Sequence, residues 1–323
     1  MKKRWIAMLT AATLMATGFT ACGSSSGKTE YKVGVIQLVQ HEALDAATQG
    51  FEDALKDKLG DSVEIEVQNA AGDSATCATI ANTFASKNVD LIMANATASL
   101  QAAVASTGTI PILGTSVTDY ATALEMDDWE GTTGINVSGT SDLAPLDQQA
   151  DMLEELFPAD SYNKVGIIYC TAEPNSKYQA DNISEYLEDK GYTVTEYTFS
   201  DSNDIASVTQ TACDNSDVLY IPTDNTAASC TETINSVATA AAMPIVTGEA
   251  GICKGCGVAT LSIDYYQLGY RTGEMAYEVL VNGADPAEME VETAETVTKQ
   301  YNAKICEQLG ITIPADYEAL EEE

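Results

Sequence analysis

The chain has 323 residues, 45% hydrophobic and 20% charged, enough apolar sequence for two domains of ordinary size. Its 49 acidic against 15 basic residues give a net charge of −34. That balance argues against a nucleic-acid partner, which needs clustered Lys and Arg, and against electrostatic binding to an anionic membrane.

In chain order, Lys2, Lys3 and Arg4 precede a short apolar run over residues 6–16, the pattern of a secretory signal over 1–21. The following FTAC places Cys22 before Gly23-Ser24-Ser25-Ser26-Gly27 and resembles a bacterial lipobox. In that reading Cys22 becomes the lipidated first residue and 22–30 a flexible tether. The alternative is an ordinary cleaved signal with a chance cysteine. Cleavage leaves 12 basic against 49 acidic residues, −37, so attachment would rest on lipid.

YKVGVIQLV (31–39) is a near-continuous apolar strand, as expected in a parallel sheet covered on both faces. Ala43, Ala47, Gly50, Phe51, Ala54 and Leu55 then have helical spacing. A strand over 63–69, a helix carrying Ile80 and Phe84, and strands over 90–96 and 110–115 follow. Residues 140–157 are read as one bridging helix. The order then repeats: KVGIIYC (164–170) matches KVGVIQL (32–38), a helix ends at Lys190-Gly191, and strands follow over 192–199, 217–222 and 244–248. Asp90 to Thr97 and Asp217 to Asp224 are both seven apart. A strand entering a helix (257–282) and a last strand and helix complete the chain. The expected fold is α/β, two Rossmann-like lobes with parallel sheets.

Ligands in such folds bind beyond the carboxyl ends of the strands. Gln37 and His41 follow the first strand, Thr97 the third, and Ser116, Thr118 and Asp119 the fourth. In the second half Glu173, Asn175 and Ser176 follow one strand, Asp224 and Asn225 another, and Glu249 a third. Hydroxyls, amides and helix starts suit a carboxylate; Asp224 and Glu249 suit an ammonium. Together they would hold a zwitterion such as an amino acid. The same residue types cap helices and form turns, and capping competes with ligand contact at Asn225 and His41. No nucleotide, zinc-protease or serine-hydrolase motif occurs, and His41 is the one histidine. The expectation is therefore not an enzyme, with no catalytic residue, metal or cofactor. Trp129 is the one Trp after the signal, which weakens a carbohydrate reading, though Tyr169, Tyr178 and Tyr265 could stack. CKGC (253–256) is read as a structural loop, which a local disulfide could close, against redox or zinc alternatives.

GVIQLVQHEALDAATQGF, NAAGDSAT, SVTD, SGTSDL, YIPTDN and LSIDYYQLGYRTG together resemble the substrate-binding lipoproteins of ABC transporters, a family that includes tryptophan and tyrosine binders. The resemblance implies a periplasmic-binding-protein type I-like clam-shell with three crossovers. Lobe 1 would be 31–140 plus 265–294, and lobe 2 would be 141–264 plus 295–323. It implies capture of a small zwitterion, an aromatic amino acid, for an ABC permease and its ATPase. The protein would be a monomer held by its lipid on the extracytoplasmic face of the bacterial cell membrane. A ligand sensor for a membrane receptor, or a binder of another solute such as a nucleoside, is the alternative. Positions matching the family's cleft are Gln37, His41, Thr97, Ser116, Thr118, Asp119, Ser141, Asn175, Ser176, Asp224, Asn225 and Glu249. Ala98 and Tyr120 stand where family members often carry Pro, and Tyr120 could narrow the pocket or stack on an aromatic ligand.

Overall fold

A computed structural model describes residues 30–294 and 296–321; Cys22 and the signal lie outside them. The first half runs β1 (Tyr31–Gln37), α1 (Glu42–Leu59), β2 (Val63–Asn69), α2 (Ser74–Lys87), β3 (Leu91–Asn95), α3 (Thr97–Ser106), β4 (Ile112–Val117), α4 (Tyr120–Leu124) and β5 (Val137–Ser141). The second runs α5 (Leu146–Leu156), β6 (Lys164–Cys170), α6 (Pro174–Asp189), β7 (Thr193–Phe199), α7 (Ile205–Asn215), β8 (Val218–Ile221), α8 (Asn225–Ala228), α9 (Thr231–Ala240), β9 (Ile245–Thr247), α10 (Ala250–Cys256) and β10 (Ala259–Ser262). The chain ends with α11 (Tyr265–Asn282), β11 (Glu292–Thr293), β12 (Thr298–Tyr301), α12 (Ala303–Leu309) and β13 (Glu318–Ala319).

These strands form two sheets, β11-β5-β4-β3-β1-β2 and β13-β12-β10-β9-β8-β6-β7. Every pairing is parallel except β10 with β12. Central strands such as β3 and β8 are buried throughout, whereas β2 and β7 alternate because they are edges. The chain passes between the sheets three times: after β5, after β10 and between β11 and β12.

The repeat read from the sequence has a physical counterpart. Asp90 accepts the Lys32 N–H at 2.7 Å, and Asp217 accepts the Lys164 N–H at 2.9 Å. Each aspartate closes the amino end of a sheet in the same way, which puts Thr97 and Asp224 at equivalent carboxyl ends.

Four expectations change. Residues 140–157 are not one helix: Thr140 and Ser141 end β5, and α5 begins only at Leu146, after Pro145. The last strand is two, β11 in the first sheet and β12 in the second. CKGC is the end of helix α10, and its cysteines are free buried thiols, as are Cys77, Cys170, Cys213 and Cys306. Burial pushes the Cys253 and Cys256 thiols up, away from reactive thiolate. Tyr120 lies inside the first lobe rather than in the cleft. Its hydroxyl donates to Thr140 O at 3.2 Å and its ring stacks on Trp129 at 6.2 Å.

Candidate functional site

The carboxyl ends of both sheets face one another across the cleft, and the lobes touch. His41, the residue before α1, has Nε2 3.2 Å from Oδ1 of Asn225, the first residue of α8. Lys254 of α10 ion-pairs with Glu42 of α1 at 3.3 Å. Asp119 lies close enough to Tyr178 of α6 to raise its phenol pKa, second to burial.

Several of the sequence-selected residues are committed to the framework. Gln37 donates to Val39 O at 3.0 Å and Asp45 Oδ1 at 2.5 Å, and accepts from Thr48 Oγ1 at 2.7 Å. Asp119 caps α4 by accepting the Thr122 N–H at 2.7 Å. Asp224 caps α8 through Oδ1 with the Ala227 N–H at 2.8 Å, and its Oδ2 accepts the Cys170 N–H at 2.7 Å. Glu249 caps α10 with the Gly251 and Ile252 N–H groups at 2.6 and 2.5 Å. Burial raises both carboxyls, to about 7 each; Asp224 is pushed further by Glu173. Glu173 in turn accepts the Asn225 and Thr226 N–H groups and the Asn225 amide at 2.7–3.0 Å. Asn175 and Ser176 donate to Thr223 O at 3.3 and 3.4 Å. Thr118 donates to Asp142 at 2.9 Å, and Ser141 to Thr118 O at 2.8 Å.

Three other selected residues present buried polar atoms with no partner among the described residues: His41 Nδ1, Thr97 Oγ1 and Ser116 Oγ. Burying a polar group unpaired costs about 1–3 kcal/mol, so three at one sheet edge point to a bound solute. Burial holds the His41 imidazole below its usual pKa, so it is neutral near pH 7. Thr97 opens α3, which follows Ala96 at φ 88° and has no side-chain cap. Ser116 sits at φ 53°, in the left-handed region. The cause is a bulge: Gly114 pairs with Gly139 but Val117 pairs with Ser141, so β4 carries one extra residue. A side chain at Gly139 would meet Gly114 O at 2.0 Å and Tyr120 Oη at 2.5 Å, so glycine keeps the strands close there. The bulge holds Ser116 in this conformation at the carboxyl end of β4, at a cost in strain. Ser116→Gly is therefore expected to stabilise the ligand-free protein by up to about 1 kcal/mol while weakening ligand binding. Thermal unfolding and calorimetry check this; a lower melting temperature with unchanged affinity would contradict it.

Asp142 was not among the residues selected from the sequence. It is buried just after β5, and its other oxygen accepts the Tyr265 hydroxyl at 2.9 Å. Its signal, an aspartate after a strand, was hidden while residues 140–157 were read as one helix.

Residues 32–321 match the model of a family described as ABC transporter substrate binding protein. The chain belongs to that family. It is 38% identical to the tyrosine-binding protein of Clostridioides difficile strain R20291 over 293 residues, 86% of this chain and 84% of that one. A solved ABC domain in complex with L-Trp, from Streptococcus pneumonia, has a TM-score of 0.84 at 33% identity, covering 88% of this chain and 96% of that one. The ligand-free, open structure of a Clostridium difficile substrate binding protein with adhesive properties has a TM-score of 0.69 at 36% identity, covering 91% of this chain and all of that one. This substrate-binding protein is thus closer in shape to the L-Trp complex than to the open form at similar identity, in line with the contacts between its lobes. Its two parallel-dominated sheets and three crossings are periplasmic-binding-protein type I-like. ABC substrate-binding proteins are extracytoplasmic. Among the described residues no helix is long and apolar enough to cross a membrane.

Proposed function

We propose that this substrate-binding protein captures an aromatic amino acid between its lobes and delivers it to an ABC permease driven by its ATPase. The observation that carries this reading is the trio of buried, unpartnered atoms at His41, Thr97 and Ser116. An α-carboxylate at the uncapped start of α3, beside Thr97 and Ser116, would satisfy two of them and meet the favourable end of the helix dipole. The aromatic side chain is proposed from relatives, one called tyrosine-binding and one solved with L-Trp. Within the described residues the lobes divide as 31–141 with 265–294 and 142–264 with 296–321, one residue later than expected at the first crossing because Ser141 pairs with Val117 in the first sheet. Of the twelve cleft positions, His41, Thr97, Ser116 and Asn225 are the nearest candidates for ligand contact, while Gln37, Asp119, Asp224 and Glu249 shape the frame. The protein binds without catalysis, acts as a monomer, and is held on the outer face of the cell membrane by lipid on Cys22. Closure follows from ligand binding the closed state better than the open one.

The test is thermal unfolding of a soluble form starting at Gly27, against the twenty amino acids, nucleosides and sugars. Tryptophan, tyrosine or phenylalanine at a hundred times its dissociation constant should add about 2.7 kcal/mol, roughly 5–10 °C. A response confined to nucleosides or sugars would overturn the amino-acid reading.

A further inference from the structure

Four carboxylates lie buried around the cleft: Asp142, Glu173, Asp224 and Glu249. The ion pairs among the described residues all join side chains at least 22% exposed, so none of the four is neutralised by Lys or Arg there. Three of them are instead compensated by backbone N–H groups, all at helix starts except that of Cys170 at the end of β6. Asp224 takes two N–H groups, Glu249 two, and Glu173 those of Asn225 and Thr226. Such donors are fixed, and those at helix starts carry the positive end of the helix dipole.

Asp142 differs. It caps no helix, and the side-chain donors on its carboxylate are the hydroxyls of Thr118 and Tyr265, each at 2.9 Å, beside its own backbone N–H. Hydroxyls are neutral rotors, and each carboxylate oxygen keeps a further lone pair. Asp142 is only 3% exposed, and burial raises its pKa despite those hydrogen bonds. It is the one of the four held by side-chain hydroxyls and not by the N–H groups of a helix start.

Its place in the fold matches one end of an amino acid. The Asp142 N–H donates to Val117 O at 3.3 Å, so it sits beside the bulge that contains Ser116. β3, β4 and β5 are neighbours, carrying Thr97, Ser116 and Asp142 in turn at their carboxyl ends. Adjacent strands are about 4.8 Å apart, a spacing that suits two groups gripping the carboxylate and ammonium of one α-amino acid. The unpartnered hydroxyls of Thr97 and Ser116 take the carboxylate side.

We infer that Asp142 is the counter-charge for the ligand's ammonium group, the residue that selects amino acids over their des-amino analogues. This rests on the reading of the ligand as an aromatic amino acid. Asp224 and Glu249, to which sequence reasoning gave the ammonium, hold helix starts instead.

The test is calorimetry on the soluble protein with L-tryptophan and L-tyrosine, each against its des-amino analogue, indole-3-propionate or 3-(4-hydroxyphenyl)propionate. Wild type should prefer the amino acid. Asp142→Asn should weaken amino-acid binding about 100-fold or more, as stranding a buried charge does, and leave the analogue bound as well as before. Equal loss for both probes would make Asp142 a structural residue and overturn the assignment. So would retention of both, or a selective loss that appears in Asp224→Asn or Glu249→Gln instead. If Asp142→Asn folds poorly, wild type labelled with 13C-aspartate answers the same question. The Asp142 carboxyl resonance should move with L-tryptophan and not with indole-3-propionate, and an identical response to both would count against the assignment. Wild-type protein that binds solutes without an amino group and no amino acid defeats the ligand reading, and this assignment with it. That failure shows before any variant is compared, so the two are distinguishable.

Discussion

Asp224→Ala is expected to cost about 3 kcal/mol of folding stability, with or without ligand. The carboxylate holds the N–H groups of Ala227 and Cys170, both in buried backbone. Removing it strands two donors that water cannot reach, at about 1–3 kcal/mol each. The same carboxyl makes stability depend on pH. Its folded pKa of about 7 lies above the unfolded value near 3.9, so the folded state binds the proton more tightly. Its favourable contribution is full below about pH 4 and is lost as pH rises through about 7. Glu249, raised to about 7, acts with the same sign over the same window. Melting temperature should therefore be higher at pH 5 than at pH 8. Surface repulsion among the many acidic residues has the same sign, so the variants isolate the buried term. Asp224→Asn should flatten the dependence between pH 5 and 7, and adding Glu249→Gln should flatten it further. A wild-type melting temperature that stays level from pH 5 to 8 would rule the argument out.

Much of this arrangement was legible in the sequence, and the reasons are specific. The two K-V-G strands and the equal spacing from Asp90 and Asp217 to the next strand end are read directly, because parallel strands buried on both faces leave long apolar runs. Thr97, Ser116 and His41 were legible as polar residues at those ends. The roles of Asp224 and Glu249 were not. A carboxylate between a strand and a helix reads the same whether it caps the helix or meets a ligand, and only the distances to Ala227, Cys170, Gly251 and Ile252 decide. Strand β5 (VSGTS) was missed because small polar residues carry no apolar alternation, although the fold buries all five. With β5 went Asp142. CKGC was read as a loop because it lacked a second C-x-x-C and a thioredoxin-type helix start, whereas Glu249 caps it into a helix. Tyr120 was placed at the cleft by its position after Asp119. Gly114 and Gly139 leave the space its hydroxyl fills inside the lobe.

Gly269→Ala is expected to be among the most damaging small substitutions in the chain. Alanine is the better helix former by about 1 kcal/mol, so propensity alone predicts stabilisation. Packing opposes it. A Cβ at Gly269 in α11 would lie 1.9 Å from Ala47 O in α1, and one at Gly50 in α1 would lie 2.1 Å from Tyr266 O in α11. Neither obstacle is a flexible side chain; both are helix backbone, so the helices must separate along a shared face that also buries Phe51, Leu55 and Met275. Overpacking of this kind costs about 1–3 kcal/mol, and lost contacts along the seam add to it. The net loss should reach about 2–3 kcal/mol, roughly 5–10 °C in melting temperature. Gly108→Ala is the control, since a Cβ there meets nothing within 4 Å. The effect should extend to binding. α11 begins at Tyr265, whose hydroxyl holds Asp142, and α11 lies directly after the second crossing between the lobes. Moving it off α1 displaces that hydroxyl and the hinge with it, so ligand affinity should fall together with stability. Equal melting temperatures for the two alanine variants would show that α1 and α11 can part without cost. Lowered stability with full affinity would show that the hinge does not depend on their contact.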